Sequence, residues 1–147
     1  MFNEKNITLE IENDVKDKIE LFIQHNGFES AGCLMGKLYP KSNKIKITHI
    51  LEAEYKSRSK YYVETCEDRL NKEVTKIWKD SKGFITYIGD WHTHPEDNPT
   101  PSEMDIETSH KKFKEGKFDQ NILIDMIIGI KKNRIKAFDG KSFYDVI

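Results

Sequence analysis

The chain is poor in the residues that staple, break or anchor a fold. Its 147 residues include only two cysteines, Cys33 and Cys66, too few for a disulfide framework and too far apart for a Cys-x-x-Cys metal knuckle. No apolar run is long enough to span a bilayer and no secretory leader is visible, so a reducing cytoplasm is the expected setting. An excess of one charge is missing too. The 24 basic and 25 acidic residues leave a formal net charge of -1, which offers no field to draw nucleic acid or a membrane surface. Repeats, low-complexity tracts and linkers are absent. With 37% hydrophobic and 33% charged residues, the chain has the composition of one soluble globular domain over residues 1–147. At that size roughly two thirds of the unfolded surface can be buried.

Proline is scarce, and three of the four prolines fall in one stretch, Asp90 to Asp105, between a strand-like approach (Phe84 to Ile88) and a helix start after Pro101. Around it the pattern alternates between strand and helix. Ile7, Leu9 and Ile11 alternate in a half-buried strand over Asn6 to Glu12. Asn13 or Asp14 then caps a helix carrying Val15, Ile19, Phe22 and Ile23 on one face, with Gly27 placed to end it. Phe28 to Tyr39 reads as a strand in which Cys33 is a core residue, and Asn43 to Leu51 as its hairpin partner. Glu52 to Tyr62 matches no period and reads as a loop or irregular strand. Thr65 caps a helix bearing Leu70, Val74, Ile77 and Trp78, with Gly83 near its end. Phe84 to Thr93 is a strand, Ser102 to Glu115 a helix stopped by Gly116, and Asn121 to Ile130 an apolar strand covered on both faces. Two short strands follow, Arg134 to Phe138 and Ser142 to Val146. The expected fold class is α/β (α+β-like), a mixed, mostly antiparallel sheet flanked by about three helices.

The chemistry concentrates in that proline-rich stretch. His92 and His94, at i and i+2 on a strand, project from one face. Ten residues separate His94 from Asp105, at the mouth of the next helix. Two imidazoles and a carboxylate match a catalytic zinc site, with three protein ligands and one open position. Each residue also has a plainer reading. A lone strand histidine is usually structural, and Ser102-Glu103-Met104-Asp105 nearly forms a capping box that accounts for Ser102 and Asp105 without metal. The cap does not account for the histidines upstream. A hydrolytic site further needs a carboxylate that is not a ligand, to move a proton from water to the leaving amine. Glu29 is the candidate, although by spacing alone it reads as a solvent residue at a strand end.

Glu29, His92-Thr93-His94-Pro95, Ser102 and Asp105, with seven residues between His94 and Ser102, resemble the JAMM motif of the JAB1/MPN metalloproteases, and the order of elements resembles that fold. The resemblance implies that His92, His94 and Asp105 bind Zn²⁺, that Glu29 is general base and acid, and that Ser102 donates to the oxyanion. All five positions are filled, unlike in inactive relatives. Glu29 to Gly36 and Gly89 to Glu96 further resemble the small bacterial branch, commonly encoded beside activating and conjugating enzymes, including those of CBASS-type antiviral operons. This implies a deconjugating isopeptidase acting on a ubiquitin-like or otherwise conjugated protein with an extended C-terminal tail. Ala31 stands where these bacterial sequences often carry glycine. Two other readings remain at this stage, a hydrolase that processes a sulfur-carrier protein and a non-catalytic interaction domain.

Overall fold

A computed structural model describes all 147 residues, Met1 to Ile147. In chain order the elements are β1 (Thr8–Ile11), α1 (Asn13–Phe22), β2 (Ala31–Tyr39), a 3₁₀ turn (Pro40–Ser42), β3 (Lys44–Glu52), β4 (Glu54–Arg58), β5 (Val63–Cys66), α2 (Asp68–Asp80), β6 (Thr86–Thr93), α3 (Glu103–Glu115), β7 (Leu123–Ile128), β8 (Asn133–Phe138) and β9 (Phe143–Asp145). Seven strands form one sheet in the order β1-β3-β2-β6-β7-β8-β9, and β4 and β5 form a separate two-stranded sheet. Within the large sheet β1 pairs parallel with β3 and β6 parallel with β7, and the other neighbours are antiparallel. The expected mixed sheet with three helices is the observed architecture. Its two outer strands are brought together, because Leu9 N–H donates to Ile147 O (2.9 Å) and Ile147 N–H to Ile7 O (2.8 Å). That contact covers backbone groups an edge strand would otherwise expose.

The curved sheet wraps one core. Ile7, Leu34, Ile45, Ile47, Ile88, Trp91, Ile124 and Met126 meet Val15 and Ile19 of α1 there. A smaller cluster of Cys33, Ala53 and Leu70 lies under α2, so Cys33 is a core residue as its apolar strand suggested. Trp91 packs against Phe22 with ring centroids 4.5 Å apart and the ring planes tilted by 39°, and its indole N–H donates to Leu51 O at 3.0 Å. Only glycine at position 32 allows this approach, since a Cβ there would lie 1.8 Å from Leu51 O and 2.8 Å from Trp91 Nε1. The indole, fixed in this way, anchors the strand that carries the histidines. No helix is long and apolar enough to cross a membrane.

Several local expectations shift. Glu52 to Tyr62 contains β4, which pairs with β5 and has a register irregularity between Tyr55 and Ser57. This is the irregular-strand alternative of the two readings of that stretch, and a bulged ribbon with little burial shows no clean period of two that would have separated it from a loop. Thr65 lies in β5 and caps nothing, and α2 begins at Asp68 after Glu67, without a side-chain cap. Asn13 and Asp14 are helical, the cap position belonging to Glu12. Helix α1 ends at Phe22, short of Gly27, because Ile23 leaves helical geometry (φ -52, ψ 127) and the buried Gln24 is drawn inward. Regular pairing of β2 starts at Ala31 rather than Phe28, which leaves Glu29 just before the strand.

Candidate metal centre

Strand β6 ends at Thr93 with its residues alternating between the core and a cleft. Trp91 and Thr93 point inward, while Asp90, His92 and His94 line the cleft. His94 lies one residue past the strand and is held there by its N–H donating to Ile128 O at 3.0 Å. The following loop docks on the turn after β7. Ile130 N–H donates to Glu96 O (2.8 Å), and Lys132 N–H to Asp97 O (3.0 Å). Pro99 packs on Gly129, where a Cβ would come within 2.4 Å of the proline ring. The loop delivers the chain to α3 at a set angle.

At the start of α3 the capping box is complete. Asp105 N–H donates to Ser102 Oγ (3.0 Å), and Ser102 N–H donates to Asp105 Oδ2 (2.9 Å). The same Oδ2 lies 3.2 Å from His92 Nε2 and 3.0 Å from His94 Nε2, and the two Nε2 atoms are 3.2 Å apart. Capping and convergence on the imidazoles are therefore compatible roles of one carboxylate. A tetrahedral zinc with bonds of about 2.0–2.1 Å holds its donors roughly 3.3 Å apart, so this near-equilateral triangle of two nitrogens and one oxygen fits the ion.

Glu29 is 5% exposed, with Oε1 3.7 Å from His94 Nε2. Donor atoms of Glu29, His92 and His94 all lie within 4.8 Å of one another, which makes a second, looser acid-containing triad. The Asp105 triad is tighter, and Glu29 stands at a reach that suits contact through a water. Burial pushes the Glu29 carboxyl above its usual range, against the pull of His92 and His94. Burial also works against the charged Asp105, but its hydrogen bonds with the two imidazoles outweigh it and hold that carboxyl well below the usual range. For His94, burial is opposed by Asp105 and Glu96, and the net direction is upward. Ser102 lines the same cleft, of about 700 Å³. Its oxygen accepts from Asp105 N–H, and its own hydroxyl proton is left free to donate.

All five residues singled out from the sequence thus meet in one place. Three other features were not anticipated. Glu96 Oε1 lies 2.9 Å from His94 Nδ1, a contact that orients the imidazole through its far nitrogen. Asp125, in otherwise apolar β7, accepts from Ser109 Oγ (3.2 Å) and Arg134 Nη1 (2.9 Å). Asp90 accepts from the Tyr87 hydroxyl and lies 3.3 Å from Lys112 Nζ. A signal existed for the last two: a carboxylate inside an apolar run, and one at i-2 from His92 on the same strand face.

Residues 24–140 match the family model of prokaryotic homologs of the JAB domain. A protein of Escherichia coli (strain TW11681) named CD-NTase/cGAS isopeptidase is 36% identical over 122 residues, 77% of this chain and 74% of that one. A Pseudomonas aeruginosa protein (strain BWHPSA011 / Pa011) of the same name is 33% identical over 95 residues, 61% of this chain and 60% of its own length. The solution structure of protein DSY2949 from Desulfitobacterium hafniense superimposes with a TM-score of 0.58 at 18% identity. It covers 95% of this chain and 92% of that one, a likeness of fold alone.

Proposed function

The chain belongs to the prokaryotic homologs of the JAB domain, and from that premise we propose that it is a zinc-dependent isopeptidase. In this reading residues 1–147 are one JAMM-type domain that releases a protein conjugated through its C-terminal carboxyl to a lysine side chain. The observation that carries the reading is the convergence of three donor atoms, 3.0 to 3.2 Å apart, with the Glu29 carboxylate 3.7 Å from one of them. The relatives' name, CD-NTase/cGAS isopeptidase, supports a CD-NTase as the conjugated protein and a CBASS-like cytoplasmic system as the setting. Activating and conjugating enzymes would then be functional partners.

His92, His94 and Asp105 would hold the ion. Zinc, when bound, supplies Lewis-acid chemistry, polarising the scissile carbonyl and lowering the pKa of a water. Glu29 takes a proton from the attacking water and delivers it to the departing lysine amine, a task suited to a carboxyl whose pKa burial has raised. Ser102 would donate a hydrogen bond from its free hydroxyl to the oxyanion of the tetrahedral intermediate. The cleft that would admit an extended tail is lined by Tyr61, Tyr62, Val63 and Met104 as well as by the candidate donors.

The test combines zinc quantification with cleavage of a CD-NTase joined through its C-terminal residue to a lysine of a reporter protein. Wild type should bind about one zinc per chain and cleave. Glu29→Ala should bind zinc and not cleave. Equal cleavage by the two, or no zinc in either, refutes the proposal.

A further inference from the structure

We propose that Arg58, on the β4–β5 hairpin, is the positioning residue for Glu29, holding the proton-carrying carboxylate at its distance from the imidazoles. The inference rests on the reading of Glu29 given above. Glu29 precedes the first residue of β2 and lacks regular strand pairing. Something else must satisfy and fix that backbone.

The hairpin does so. Glu29 N–H donates to Ser59 O at 2.8 Å, and Glu29 O accepts from Arg58 Nε at 3.0 Å. The second arm of the same guanidinium, Nη2, donates to Ser30 Oγ at 2.8 Å. A planar fork with fixed donor spacing is thus matched to two acceptors on adjacent residues. The guanidinium is itself held over the Tyr55 ring, 4.0 Å from its centroid, and the Tyr55 hydroxyl accepts from Ala31 N–H at 3.0 Å. Residues 29 to 31 are thereby fastened to β4 along one side.

Their other side is fastened to the histidine strand. Ser30 N–H donates to Thr93 Oγ1 and Thr93 N–H to Ser30 O, both at 3.0 Å. Thr93, fully buried between the two histidines in sequence, donates a hydrogen bond from its hydroxyl to Gln24 Oε1 (3.0 Å). Gln24 Nε2 reaches back to the hairpin and donates to Lys60 O at 2.7 Å. Glu29 is therefore clamped between β6 and the hairpin, and Arg58 is the one side chain that grips its carbonyl. Arg58 does not line the cleft and approaches none of the three metal donors. Its direct grip is on Glu29 O and Ser30 Oγ, and a loss of kcat with zinc affinity unchanged separates an effect through Glu29 from one through Ser30 and the histidine strand.

The experiment measures steady-state cleavage of the CD-NTase–reporter conjugate and zinc affinity by chelator competition, on wild type, Arg58→Ala, Arg58→Lys and Glu29→Ala. Displacing a reacting group by about 1 Å can cost on the order of 100-fold, so Arg58→Ala should lower kcat about 10- to 100-fold. KM and zinc affinity should stay within about threefold, because uniform binding and the donors are untouched. Arg58→Lys keeps the charge and the stem but has no fork, and should lose about 10-fold in kcat even if the alanine variant folds poorly. Added methylguanidinium should restore part of the kcat of Arg58→Ala. Wild-type kcat in either variant, no rescue of Arg58→Ala, or a parallel loss of zinc affinity overturns the inference. If Glu29→Ala itself turns over like wild type, the reading of Glu29 fails. If Glu29→Ala is inactive and the Arg58 variants are fully active, only the role of Arg58 fails.

Discussion

Ser102 carries two separable duties, and substitution can part them. Its hydroxyl oxygen caps α3 by accepting from Asp105 N–H at 3.0 Å, and its backbone N–H holds Asp105 Oδ2 at 2.9 Å. Ser102→Ala removes the first contact and keeps the second, because the backbone donor survives. The Asp105 carboxylate should stay in place and zinc affinity should be nearly unchanged. Loss of the cap costs about 1 kcal/mol, whereas glycine at an N-cap costs only a few tenths. For a chain of this size about 1 kcal/mol lowers Tm by roughly 2–4 °C. The oxyanion role is larger, since removing one such donor costs about 10²–10³ in kcat, or roughly 3–4 kcal/mol. Ser102→Ala and Ser102→Gly should therefore lose the same 10²–10³ in cleavage of the conjugate while differing in Tm, the alanine variant being the less stable. Thermal unfolding of the chelator-treated proteins and turnover of the zinc-loaded proteins read the two quantities independently. Near-wild-type turnover in Ser102→Gly would refute the oxyanion role of the hydroxyl. So would activity that follows Tm across the pair, or zinc affinity that falls along with kcat, which would make Ser102 only a holder of Asp105.

Three further outcomes are expected. Asp105→Asn or His92→Ala should abolish stoichiometric zinc, and the wild type should be stabilised by about 4 kcal/mol at free zinc a thousandfold above Kd, a gain absent in either variant; equal zinc-dependent Tm shifts would contradict the donor assignment. Gly32→Ala would drive a Cβ to 1.8 Å from Leu51 O, a collision with backbone that cannot rotate away; it should lower stability by about 1–3 kcal/mol in urea unfolding, and an unchanged midpoint would show that β2 and β3 can separate there without cost. Burial at 3% exposure pushes the Cys33 thiol well above its ordinary pKa, so a thiol reagent should titrate Cys66 alone in the native protein and both cysteines in denaturant. Two fast-reacting thiols in the native state would place Cys33 outside the core.

The legible parts of the molecule share one property: their physics is local. The Ile45 and Ile47 alternation in β3, the apolar run of β7 and the capping box at Ser102 each depend on neighbours a few residues away. Residues Glu54–Arg58 read only as a loop or irregular strand, and their pairing with β5 escaped, because the bulge breaks the period and the faces bury little. Thr65 was misplaced as a cap for the same reason, being a strand residue of that hairpin. Glu96, Asp125 and Arg58 escaped because a polar side chain announces its partner only once the fold has brought the partner near.

The stretch from Asp90 to Asp105 carries most of its own geometry. Period two puts His92 and His94 on one face, prolines restrict the loop, and a cap pins Asp105 at the first turn of α3. That much the amino-acid order determines alone, because every one of those constraints acts within sixteen residues. The place of Glu29 is of another kind. Strand β2 runs antiparallel to β6 with Ala31 opposite His92, and the exchange between Ser30 and Thr93 continues that register to set Glu29 across from His94. A slip of one residue would turn Glu29 to the opposite face of the sheet. The tertiary structure alone decided that register, through Trp91 seated on Gly32 and Leu51 and through the hairpin that holds residues 29 to 31, since pairing between strands so far apart in the chain is settled by packing.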